Sequence, residues 1–159
     1  MTEHIRATIN GQVFDGEVVA NELLLDFLRD RLGLIGARQS CEVQVCGTCT
    51  VLVDAAPVSS CCYLACEIDG RVVETIEGLV GTEFHEEISD AFVRHAAVQC
   101  GYCTPGMVLT AKALVGSAEL SSEDAIRHAM SGNLCRCTGY RSILDALIDV
   151  FDSHDPARA

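Results

Sequence analysis

Ten cysteines in 159 residues constrain this chain more than any other feature. Cys41, Cys46, Cys49, Cys61, Cys62 and Cys66 lie in the first half, and Cys100, Cys103, Cys135 and Cys137 in the second. In an exported protein such a count reads as a disulfide framework; in a reducing compartment it points to metal or redox chemistry. The first residues, MTEHIRATIN, lack a charged region followed by an apolar core, and no twin arginine occurs. Export on a signal of its own is not expected, so a reducing cytoplasm is the expected location. No apolar run is long enough to span a membrane.

The first group reads C-x4-C-x2-C-x11-C through Cys41, Cys46, Cys49 and Cys61. The C-x4-C-x2-C part is the plant-type [2Fe–2S] spacing. Such a cluster needs three thiolates from one loop, backbone N–H groups turned towards it, and a fourth thiolate from a neighbouring segment. Gly47 falls where close backbone approach is wanted. The second group reads C-x2-C-x31-C-x-C through Cys100, Cys103, Cys135 and Cys137. Both of its pairs fall at expected helix ends, where partial positive charge favours an anionic centre. Taken alone, this second spacing also suits a tetrahedral structural zinc.

The scaffold around these groups divides in two. HIRATIN alternates Ile5, Ala7 and Ile9, a strand period, and Asn10-Gly11 predicts a tight hairpin turn into QVFDGEVVA. NELLLDFLRDRLGL repeats Leu24, Phe27, Leu28 and Leu32 at helical spacing, with Asn21 as expected cap and Gly33 as expected stop. TVLVD and RVVETI read as strands. The second half reads as all helix: from about Glu86 to Ala97; from the cap Thr104 and first-turn Pro105 to about Val115, before Gly116; from Ser121, with Asp124 completing a capping box, to a stop at Gly132 and Asn133; and through YRSILDALIDVF. Short connections predict a small antiparallel bundle. The expected boundary lies within residues 70–82, giving domains 1–78 and 79–159.

Hydrophobic residues make up 49% and charged residues 21%, enough for a core and unlike a disordered chain. The formal net charge of −12 argues against nucleic acid and anionic membranes as partners, since both attract basic patches. Cys62 and Cys66 are expected to be buried small side chains, although Cys62 directly follows Cys61 and an alternative ligation there is conceivable. His4, His85, His95, His128 and His154 share no ligand spacing and read as surface or capping residues. Glu86 and Glu87 are adjacent and diverge on a helix, so they make no acid–base pair. Met107 and Leu109 are expected to pack in the bundle. EGLVG lacks the pattern of a nucleotide loop.

CEVQVCGTCTVLVD…PVSSC, QCGYCTPGM and GNLCRCTGY together resemble the iron–sulfur subunit of molybdenum hydroxylases, the xanthine oxidase family. The resemblance runs from about Ile5 to Phe151 and joins three long motifs in order. It implies an α+β fold: an N-terminal β-grasp, plant-type ferredoxin domain followed by an all-helical, four-helix [2Fe–2S] domain. It implies two [2Fe–2S] clusters, one on Cys41, Cys46, Cys49 and Cys61, the other on Cys100, Cys103, Cys135 and Cys137. The helical cluster would neighbour a molybdopterin on a large partner subunit, with Gln99 and Cys137 contacting the pterin. The other cluster would lie nearer FAD on a medium partner subunit, in a dimer of heterotrimers. The chain would then be an electron-transfer subunit with no catalytic residue of its own. Substrate oxidation releases two electrons, and clusters in series would pass them on singly. A free-standing two-cluster ferredoxin is the alternative, and a structural zinc module a lesser one. The chain departs from the family at Gln44, where glycine is usual, and at Thr48, where alanine is common. Gln44 bears on local loop geometry and removes no ligand.

Overall fold

The computed structural model describes residues 1–115 and 122–154. The fold is α+β. A five-stranded mixed sheet, in the order β2 (Gln12–Val19), β1 (Thr2–Ile9), β5 (Val72–Glu74), β3 (Thr50–Val53), β4 (Ala56–Ser59), carries helices on the rest of the chain. Strands β1 (Thr2–Ile9) and β2 (Gln12–Val19) form the expected hairpin. Asn10 and Gly11 both take positive φ, 49° and 78°, as a two-residue turn of this hand requires. Ile5, Ala7 and Ile9 point inward, as their alternation predicts.

β1 pairs in parallel with β5 (Val72–Glu74), which pairs antiparallel with β3 (Thr50–Val53). β4 (Ala56–Ser59) completes the sheet at its edge and had no sequence signal of its own. Pro57 breaks the strand pattern, but an edge strand tolerates a missing donor. Asp54 and Ala55, at φ 50° and 65°, make the turn into it.

All four residues of β3 are buried, because both faces of the strand are covered. Val51 and Val53 join one core with Leu24, Phe27, Ile68 and Val73. Leu52, one step out of phase, joins a second core with Leu79, Ile88, Met107 and Leu147. The second core is built by α2 (Ile76–Leu79), α3 (Glu83–Arg94), α4 (Thr104–Leu114), α5 (Glu123–Ala129) and α6 (Arg141–Ser153). Helix α4 packs on β3, so the sheet's second face is closed by the helical half. Met107 and Leu109 are buried there, as expected.

Several helix starts differ from expectation. Asn21 does not cap α1 (Leu24–Asp26). Leu23 precedes the helix without a side-chain cap, and the Leu24 N–H is satisfied by the Tyr63 carbonyl at 2.7 Å. A tertiary acceptor replaces the local one. The helix then widens into a π-type turn at Phe27–Arg31 and ends at Gly33, φ 70°, as predicted. Helix α3 begins at Glu83 rather than near Glu86, because Thr82 Oγ1 accepts the His85 N–H at 3.3 Å and sets an earlier cap. Thr104 is the first residue of α4; Cys103 holds the cap position. The expected cap Ser121 and stop Gly116 lie outside the described residues; Ser122 caps α5 through the Ala125 N–H at 3.2 Å. Among the described residues no helix is long and apolar enough to cross a membrane.

Candidate functional site

The first cysteine loop, residues 41–49, is folded on left-handed backbone. Glu42 and Gln44 both sit at φ 58° and Gly47 at 68°. This curls the chain around the Cys41 sulfur, which accepts N–H bonds from Val45 and Cys46, each at 3.4 Å. Cys46 Sγ lies 3.2 Å from Thr48 Oγ1. Cys61 arrives on the 3-10 turn Ser60–Cys62, tied to the loop by the Ser60 hydroxyl, which donates to the Cys49 carbonyl at 2.6 Å. Cys49 and Cys61 are buried, Cys41 and Cys46 half-buried.

The thiols of this group feel one another. Burial raises Cys49 to about 11, with Cys61 and Cys46 adding to the rise. Burial also opposes ionisation of Cys46, yet the Thr48 hydroxyl and backbone, together with Cys41, bring it down to about 6. A loop that stabilises thiolate sulfur through N–H and O–H donors suits ligation of an electron-poor metal centre.

Gln44 adopts left-handed backbone that glycine would take without strain. The Gln44→Gly chain is expected to gain about 1 kcal/mol, since a side chain at this φ is strained. A thermal melt against the parent checks this; an unchanged or lower midpoint contradicts it.

The second group assembles from two chain segments. Cys103 caps α4, with Cys100 just before it; Cys135 and Cys137 precede α6. Cys137 Sγ approaches Cys100 Sγ to 3.5 Å. The Thr138 hydroxyl donates to Cys135 Sγ at 3.2 Å, and the Cys135 N–H donates to Tyr140 Oη at 3.1 Å. Burial pushes Cys103 up to about 12, with Cys135 adding to the effect. Burial works against the Cys135 thiolate too, but Thr138's hydroxyl and N–H outweigh it and hold its pKa low. The Tyr102 N–H lowers Cys100. Gln99 is exposed beside Cys100, and Cys137 is exposed as well.

Within each spacing pattern the fold brings cysteines of separate segments together: Cys61 beside Cys49 in the first, Cys137 beside Cys100 and Cys135 beside Cys103 in the second. Among the described residues no three or more His, Cys, Asp or Glu side chains are arranged to hold a single ion. Four thiolates on one tetrahedral zinc would all lie about 3.8 Å apart.

The two groups meet across a backbone junction that sequence reasoning missed. The Leu134 N–H, next to Cys135, donates to the Cys46 carbonyl at 2.9 Å. Asn133, read from sequence only as a helix stop, is buried and donates to the Gly47 carbonyl at 3.1 Å. A Cβ on Gly47 would collide with the Gly132 carbonyl, and one on Gly106 with the Gly47 carbonyl. Gly47 therefore serves close approach, as expected, but of the helical half's backbone. Tyr102 Oη donates to the Gln39 carbonyl, and the Arg38 guanidinium stacks 5.5 Å from the Tyr102 ring centroid. Asn133 carried a faint signal: an amide between a helix stop and a ligand-like pair has more to bond than a stop needs.

The remaining expected residues behave plainly. His4, His95 and His154 pair at the surface with Asp15, Asp149 and Glu87. Cys62 is exposed and Cys66 half-buried, so the expectation of two buried side chains fails. The 3-10 turn buries Ser60 and Cys61 and leaves Cys62, its last residue, on the solvent side.

Residues 7–75 match the family described as 2Fe-2S iron-sulfur cluster binding domain, and residues 75–148 match the [2Fe-2S] binding domain family. The chain thus carries two [2Fe–2S] binding domains, the equipment of an electron-transfer protein. It is 40% identical over 163 residues to the caffeine dehydrogenase subunit gamma of Pseudomonas sp. (strain CBB1), covering 100% of this chain and 98% of that one. It is 38% identical over 147 residues to the xanthine dehydrogenase iron-sulfur-binding subunit of Escherichia coli O157:H7, covering 91% and 92%. Quinoline 2-oxidoreductase from Pseudomonas putida 86 superposes with a TM-score of 0.85 at 44% identity, over 99% of this chain and 93% of that one. The chain belongs to the small iron–sulfur subunits of the xanthine dehydrogenase family of molybdenum hydroxylases. It is a non-catalytic electron-transfer subunit of an oxidoreductase.

Proposed function

We propose that Cys41, Cys46, Cys49 and Cys61 hold one [2Fe–2S] cluster and Cys100, Cys103, Cys135 and Cys137 the other. The chain then passes electrons singly from a molybdopterin site on a large partner subunit towards FAD on a medium one. The observation that carries this reading is the junction: the first cysteine loop and the segment leading into Cys135 are bridged by the Leu134 N–H on the Cys46 carbonyl. When bound, each cluster accepts and releases one electron at a time.

The chain's own residues supply the rest. N–H groups of Val45 and Cys46, and the hydroxyls of Thr48 and Thr138, sit on ligand sulfur, where such donors tune a centre's potential. The Cys46–Leu134 bridge provides a short bonded connection between the two ligand segments. Gln99 and Cys137, exposed on one rim, contact the pterin in this reading. Val98 and Leu134 are exposed apolar side chains on the same rim, and Val43 and Val45 stand exposed at the first loop. Such side chains at the edges of both sites suit seating against partner subunits.

In this reading residues 1–78 form a β-grasp, ferredoxin-like domain and residues 79–159 a four-helix domain. A sheet confined to residues before α2 and a second core built almost wholly by the later helices support a division near α2, with Leu52 reaching across it. The complex is a cytoplasmic dimer of heterotrimers.

The test is low-temperature EPR with spin quantitation on the anaerobically purified, dithionite-reduced full chain. Two distinct signals, together about two spins per chain, are expected. One signal from fully loaded protein overturns the reading. Purification of the brown chain without any large subunit points instead to a free-standing ferredoxin.

A further inference from the structure

Cys61 and Cys62 ride one 3-10 turn, Ser60–Cys62, yet face different surroundings. Cys61 is buried and Cys62 is exposed. Their sulfurs lie 3.8 Å apart. The Cys62 sulfur is therefore within one side-chain swing of the place the Cys61 sulfur holds. Cys62 Sγ also lies 3.8 Å from the carbonyl of Glu42, the residue following Cys41. It therefore stands between the Cys61 and Cys41 ends of the first group, on the solvent side. It lines the cleft between the two halves with Gln44, Gly47 and Asn133. Cys66 is different: its sulfur faces the Ala20 carbonyl at 3.8 Å.

We propose that Cys62 is a second ligand for the coordination position that Cys61 fills, taking that position from the solvent side when the Cys61 thiolate is absent. The exchange is redox-neutral. The Cys62 thiol gives its proton to solvent, and its thiolate forms the metal–sulfur bond that Cys61 no longer makes. The movement is small because both side chains leave the same turn, which the Ser60 hydroxyl and N–H hold on the Cys49 carbonyl. The outcome is a first centre that survives loss of its buried fourth ligand, with a more exposed sulfur. The inference rests on the assignment of Cys61 as a ligand.

The experiment compares the full chain with Cys61→Ala, Cys62→Ala and the double variant, each loaded with iron and sulfide and reduced for EPR. The signal of the second centre reports correct folding throughout. Cys62→Ala is expected to match the parent. Cys61→Ala is expected to keep the first signal at full intensity with shifted g values, and the double variant to lose that signal alone. Loss of the first signal in Cys61→Ala, with the second intact, overturns the proposal; so does its survival in the double variant. An unshifted first signal in Cys61→Ala instead refutes the assignment of Cys61. Should alanine prevent folding, the isosteric Cys61→Ser is alkylated with iodoacetamide. Cys62 is expected to react in the loaded parent and to be protected in loaded Cys61→Ser; reaction in both overturns the proposal.

Discussion

The Gly106→Ala chain is expected to melt roughly 10 °C below the parent, a loss of about 3 kcal/mol for one added methyl group. Gly106 lies in the first turn of α4, buried against the first cysteine loop. A Cβ there would collide with the Gly47 carbonyl oxygen, which is backbone and has nowhere to go. That oxygen already accepts from Asn133 Nδ2 at 3.1 Å and from the Thr50 hydroxyl at 2.8 Å. Moving it breaks both bonds in a buried place, and an unsatisfied buried group costs about 1–3 kcal/mol. Moving α4 instead opens its packing on β3. Differential scanning calorimetry of the loaded chains decides: a midpoint within experimental error of the parent refutes the junction as a structural keystone. The same variant is expected to weaken the Leu134–Cys46 bridge, so inter-site electron transfer should slow as well.

Cys135→Ser is expected to remove one EPR signal and leave the other at full intensity and, under the proposed function, to drop electron flux to a flavin partner to background. Cys135 is buried between the Thr138 hydroxyl and Cys103, where its thiolate is favoured. A serine hydroxyl keeps the shape but ionises far less readily than a thiol, so the ligand set drops to three. The first group should not notice. Its link to this segment runs through the backbone N–H of Leu134, which the substitution leaves in place. Reduction of an artificial acceptor at the molybdenum subunit should persist, which separates a broken wire from a broken enzyme. Retention of both signals would remove Cys135 from the ligand set.

Much of the fold is legible in the sequence. The hairpin at Asn10-Gly11, the strands around Ile5 and Val51, and the apolar faces of the later helices all follow from local periodicity and turn chemistry. Misplaced helix starts have different causes. Asn21 is a good cap by residue type, but the Tyr63 carbonyl, distant in sequence, takes the Leu24 N–H; Thr82 caps α3 locally and earlier than expected; and Cys103 holds the cap position of α4 without a side-chain bond. β4 was invisible because Pro57 reads as a break until its position at the sheet edge is known. Cys62 was misjudged because free cysteine is usually buried, whereas here it ends a 3-10 turn whose first two residues take the buried places.

The order and spacing of the cysteines by themselves pointed to an iron–sulfur protein with one [2Fe–2S] binding domain in each half, as the family matches show, because a cluster loop demands a particular chain length between ligands. Only the tertiary structure decided how the groups are joined. The Leu134 N–H on the Cys46 carbonyl, Asn133 on Gly47, and the glycine contact between α4 and the first loop each link residues at least 59 positions apart. No local pattern encodes such contacts. They arise because Leu52 and its neighbours cover both faces of one strand, pressing the helical half onto the sheet until the two loops share their hydrogen bonds.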